Sequence, residues 1–230
     1  MESITTDTTA PEAASEESTR VGIPLLEMAV AYGLILATVW TRGPMQRVLF
    51  WTTAGSFLCA AAAAPFRHTG ALAVPWLRLP SWRMTGIMFA LALFVVALMV
   101  VPAAAMGTLH GLFGTKAPMA HASGYLIWAL VQQFIQQAFF FVRMERLLHR
   151  GIMASCATAA LFGLAHLPNP VLTPVTFFGG WILSEIFRRY RTIYPLGIAH
   201  GLIGLAIAIS VPDSLQHHMR VGLGYLRYPH

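Results

Sequence analysis

Seven apolar stretches follow one another along this chain, at about residues 22–40, 48–65, 84–106, 122–142, 151–168, 171–187 and 193–211. Several reach the ~20 residues that an α-helix needs to cross a ~30 Å hydrocarbon core. The fifth and sixth are slightly short and suit little tilt or locally thinned lipid. Charged residues make up only 10% of the chain, where a water-soluble domain carries about a quarter. That excludes a cytosolic globular domain, and 11% aromatic residues exclude a disordered polymer. The pattern predicts an all-α fold, a polytopic membrane helical bundle with about seven transmembrane helices. The count becomes eight if residues 67–83, rich in Pro, Trp and Arg like an interfacial segment, insert partly.

Three regions follow. Residues 1–20 hold Glu2, Asp7, Glu12, Glu16 and Glu17 against one base, Arg20. They lack apolar periodicity and are expected to be a disordered acidic N-terminal tail. A signal peptide would begin with a basic region, and this begins with an acidic one. Residues 21–211 form the expected transmembrane domain, and 212–230 are expected to lie at the interface through Leu223, Tyr225, Leu226 and Tyr228.

The net charge of +6 sits in short loops, so orientation and lipid headgroups explain it better than nucleic acid. One set of loops carries Arg20, Arg67, Arg78, Arg83, Arg143, Arg146, Arg150, Arg188, Arg189 and Arg191. The other carries Arg42, Arg47, Lys116, Arg220 and Arg227. The richer side is expected to be cytoplasmic, with the N-terminus inside and, for seven spans, the C-terminus outside. Cys59 and Cys156 lie in apolar runs and read as small buried residues rather than a disulfide or metal site.

Chemistry concentrates in three stretches. The fourth carries Gln132, Gln133, Gln136, Gln137 and Arg143. On an ideal helix these fall at about 0°, 100°, 40°, 140° and 20°, a single polar face. Unpaired amides are costly in hydrocarbon, so this face must meet other helices or a water-filled cavity. Both readings, interhelical glue and cavity wall, stay open. The fifth stretch places His166 four residues after Phe162, and the seventh holds His200 well inside its apolar run. Counting rise per residue from the turn near Arg150 brings Gln137 and His166 to one level, with His200 somewhat shallower. Gly197, Gly201, Gly204 and Ala208 form a small-residue stripe that reads as close helix packing.

Phe162-x-x-x-His166, the setting YPLGIAHGL around His200 and the Gln136–Gln137 pair occur in an order that resembles the CPBP family. That family includes the type II CAAX prenyl endopeptidases and bacterial Abi proteins. The resemblance covers about residues 120–210. It implies a CAAX-protease-like fold, an integral protein of the bacterial inner (plasma) membrane, and an endopeptidase acting on hydrophobic or prenylated peptides. In active members a Glu aided by a His would activate water, while a second His and an Asn would stabilise the oxyanion. The positions matching these catalytic motifs are Gln136, Gln137, His166 and His200. Gln132, Gln133, Arg143, Phe162 and Gly204 are expected to line the cavity.

Three departures bear on the chemistry. Gln136 and Gln137 stand where the family has its Glu pair, Phe141 where it has Arg, and Gly204 where its third motif ends in Asn or Asp. An amide cannot take a proton from water. Glu27, Glu145 and Glu185 offer no evident replacement: Glu27 lies near the cytoplasmic edge, Glu145 is about 12 Å from Gln137 along the helix, and Glu185 sits beside Arg188 and Arg189. Impaired or altered catalysis is therefore expected. The alternative is a non-hydrolytic relative, a pseudoprotease that binds a lipid, isoprenoid or membrane partner. Two His could hold zinc, but a catalytic zinc site wants three protein ligands and Gln is a poor third, so no cofactor is expected.

Overall fold

The computed structural model describes residues 9–68, 79–112 and 118–228, and among them it is helical with no strand. Helices α1 (Thr9–Val39), α2 (Pro44–His68) and α3 (Trp82–Ala105) come first. Helix α4 (Pro118–Gln133) runs through a π-helical stretch (Phe134–Phe141) into α5 (Val142–Leu148). Then come α6 (Gly151–Leu164), α7 (Leu172–Tyr190), α8 (Tyr194–Ser210), and the short α9 (Asp213–Gln216) and α10 (Gly222–Leu226). Each predicted apolar stretch is occupied by a helical run. Three are long and apolar enough to cross a membrane: Val21–Val39, Trp82–Ala105 and Met119–Leu148. Gly151–Leu164 and Tyr194–Ser210 are shorter apolar helices.

The first two of these, on α1 and α3, bury little of themselves in protein. Leu26 and Val30 on α1, and Ile87, Phe94, Leu98 and Val101 on α3, are exposed. So continuous an apolar surface belongs against lipid rather than water. Cys59 and Cys156 are exposed too, correcting the expectation that they are buried: each faces outward from its helix. Helix α1 begins at Thr9, inside the acidic stretch, where Ala and Glu favour helix. Residues 1–8 of that tail and 69–78 of the interfacial stretch lie outside the described residues.

The remaining helices pack tightly around the fourth run. Helices α6 and α7 form an antiparallel hairpin. Gly151 meets Arg188 at one end and Gly163 meets Phe177 and Thr173 at the other, with Gly180 against Phe162 and Ala159 between. Helix α8 lays its glycines on α4: Gly197 on Leu130, Gly201 on Leu126 and Ala129, Gly204 on Tyr125. The small-residue stripe is thus a packing seam, as read from the sequence.

Ion pairs tie one end of the bundle, Glu27–Arg143 and Glu145–Arg191 at 2.7 Å each and Glu185–Arg188 at 2.8 Å. At the opposite end Asn169 accepts from the backbone N–H of Val171 and Leu172, starting α7. Its amide donates to the carbonyls of Gln216 and Arg220. Gly222 follows at φ +54° with its N–H on the Leu167 carbonyl at 2.8 Å, so close to the Val39 carbonyl that no Cβ would fit.

Candidate functional site

The π-helical stretch sets the geometry of the glutamines. The Val142 N–H bonds to the Gln137 carbonyl, five residues back, which widens the turn carrying Gln136 and Gln137. Phe139 and Phe140 go to one side, against Phe57, Met28 and Tyr32, and Phe141 goes against Phe187. The glutamines take the remaining side, and their side chains are closed off, with Gln133 and Gln137 at 0% and Gln136 at 2% exposure.

The three amides bond in sequence. Gln136 Nε2 donates to the Gly180 carbonyl at 3.2 Å, Gln133 Nε2 donates to Gln136 Oε1 at 3.0 Å, and Gln137 Nε2 donates to Gln133 Oε1 at 3.2 Å. Gln133 Nε2 also lies 3.0 Å from His200 Nδ1. Of the two readings left open by the sequence, glue between helices describes these amides. They link the fourth run to α7 and α8 instead of forming an open polar wall.

His166 lies just past the end of α6, in the turn, not within the span as the sequence suggested. Its Nδ1 caps the helix by bonding to the Phe162 carbonyl at 2.7 Å, a use of His natural at a helix C-terminus, where carbonyls lack partners. The Phe162 ring is shared. The His166 ring stands edge-on at 4.8 Å between centroids, and the His200 ring at 5.7 Å. Both imidazoles are half-buried, and among the described residues neither Nε2 is bonded within the protein. His200 reaches Gln133, a turn beyond Gln137, and so lies deeper than residue counting predicts. Helix α8 begins inside the bundle: Thr192 and Ile193, before its first residue, are 2% and 3% exposed.

Gln136, Gln137, Phe162, His166 and His200 are therefore brought together, with Gln133. Three other expected lining residues are not. Arg143 turns toward α1, where its Nε meets Glu27 at 2.8 Å while its guanidinium lies 3.7 Å over the Phe139 ring. The widened turn carries it off the glutamine face. Gln132 is half-buried and outside the amide network. Gly204 is covered, because a Cβ there would fall on the Tyr125 hydroxyl. Tyr125 escaped the sequence reading, although the glycine stripe implied a bulky group opposite.

Residues 116–206 match the family model described as Type II CAAX prenyl endopeptidase Rce1-like. They form an Rce1-like domain, of the CPBP family. No curated protein and no solved structure matches the chain. The Rce1-like domain spans α4 through most of α8 and contains every group of the cluster around Phe162. With the apolar helices, it makes this an integral membrane protein that is CAAX-protease-like.

The carboxylates of the Rce1-like domain lie elsewhere. Arg191 holds Glu145 through both carboxylate oxygens, and Arg188 holds Glu185. Beyond it Glu27 pairs with Arg143, and Asp213 with His218 at 3.0 Å. Among the described residues no group of three or more His, Cys, Asp or Glu is placed to hold a metal ion. The cluster can therefore offer imidazole nitrogens to a ligand, and its amides serve to position them.

Proposed function

We propose that this protein binds a hydrophobic ligand within the bilayer, a lipid, an isoprenoid or a prenylated peptide, without cleaving it. The observation that supports this reading is the buried amide network at the family's Glu positions. Gln133, Gln136 and Gln137 bond to one another, to Gly180 and to His200. Every glutamate whose side chain is described pairs with an arginine away from them. General acid–base catalysis by a positioned group typically contributes 10²–10⁴-fold, and among the described residues no carboxylate is at hand to supply it.

A second reading, slow hydrolysis with His166 as base, draws on the unbonded Nε2 of each imidazole. The two are separated by incubating the purified protein in lipid nanodiscs with a farnesylated CAAX-type peptide. The binding reading expects saturable uptake, weakened by His166→Ala, with the peptide recovered intact. Absence of saturable binding, across this peptide and the free isoprenoid alcohol, would count against it. By charge, the end carrying Arg143, Arg146, Arg150, Arg188, Arg189 and Arg191 would face the cytoplasm of a bacterial plasma membrane.

A further inference from the structure

The direction of the amide network follows from chemistry alone. The Gly180 carbonyl only accepts, so Gln136 must offer it Nε2 at 3.2 Å. That leaves Gln136 Oε1 facing Gln133, which must answer with its own Nε2, at 3.0 Å. The same nitrogen lies 3.0 Å from His200 Nδ1. An amide NH₂ donates and never accepts, so His200 Nδ1 must be the acceptor and carry no proton. The third member agrees, since Gln137 donates to the oxygen that Gln133 has left, at 3.2 Å.

We propose that Gln133 is a positioning residue that fixes His200 as the Nε2–H tautomer, so that this imidazole presents a donor at its unbonded nitrogen. The fixing is relayed from a backbone carbonyl on α7 through two side chains of the fourth helical run to a ring on α8. His166 is set the opposite way. Its Nδ1 faces the Phe162 carbonyl at 2.7 Å and must donate, which leaves its Nε2 as an acceptor. Two imidazoles packed on one Phe162 ring thus differ in kind, His200 with a donor and His166 with a lone pair at Nε2. The tautomer assignment goes beyond the non-hydrolytic reading and holds whether the site binds or cleaves.

Nuclear magnetic resonance on the full chain in lipid, with histidine and glutamine nitrogens isotopically labelled, tests it. Histidine signals are assigned by comparison with His200→Gln and His166→Gln. The proposal expects His200 protonated at Nε2 alone, a nitrogen–nitrogen coupling across the bond from Gln133 to His200, and His166 protonated at Nδ1. In Gln133→Glu an ionised carboxylate can only accept, so the His200 proton moves to Nδ1, whereas a carboxyl that burial keeps protonated would still donate to Nδ1. A merely structural role for Gln133 would not move that signature. The proposal is overturned if unmodified His200 carries its proton on Nδ1, or if the coupling is absent. It is equally overturned if Gln133→Glu keeps its helical content and the Nε2–H pattern while the carbon shift of the introduced carboxyl shows it ionised. Should that variant fail to fold, the tautomer and coupling in the unmodified protein decide.

Discussion

A single buried amide holds most of the polar site together. Gln136 joins Gly180 to Gln133, and replacing it with Leu leaves one Gln133 N–H without a partner and takes from the Gly180 carbonyl the bond it accepts beyond its own helix. Groups left unpaired in this way cost about 1–3 kcal/mol each, while interhelical bonds in membranes sit near the low end. Gln136→Leu should therefore lower stability by about 1–2 kcal/mol, read as earlier thermal unfolding in detergent. Gly204 gives a sharper test. Installing the family's Asn there puts a side chain onto the Tyr125 hydroxyl, and overpacking of this kind costs about 1–3 kcal/mol. Gly204→Asn should destabilise on its own and be partly rescued by Tyr125→Ala. An additive pair of effects would show that the two positions do not touch. Restoring Gln136, Gln137 and Gly204 to the family residues together is thus blocked at 204 unless Tyr125 is also reduced.

Among the elements, much was legible because lipid imposes length and polarity on any helix that crosses it. The seven apolar stretches became helical runs, and the glycine stripe on α8 became its seam with α4. Phe162 and His166 met through their four-residue spacing. Ideal helical angles failed at Arg143, because the π-helical stretch adds a residue to the turn and no residue type announces it. They failed also for His200, whose depth depends on a loop buried before α8 starts. The hold of the Asn169 turn on the C-terminal segment was not legible, since that contact spans 47 residues to Gln216. Asn169→Ala should cost about 2–3 kcal/mol by removing two cap bonds and two tethers. Limited proteolysis would then cut faster within residues 212–228, and unchanged cutting would contradict this role.

For the molecule as a whole, the two ends differ in kind. Glu27, Glu145 and Glu185 bond arginines at one end, while Val39, Asn169 and Gly222 gather at the other. An odd number of crossings would put the N-terminal and C-terminal segments on opposite sides. Reporter fusions should read residues 1–20 as cytoplasmic and residue 228 as external, and a shared side would require an even count. The central claim is that a CAAX-protease-like domain here engages its ligand without a base strong enough to cut it. Single-turnover incubation tests this most directly, with protein in excess over a farnesylated CAAX-type peptide and release of the C-terminal tripeptide followed by mass spectrometry. The account predicts the bound peptide intact at every time point. Tripeptide release by the unmodified protein that disappears in His166→Ala would contradict it.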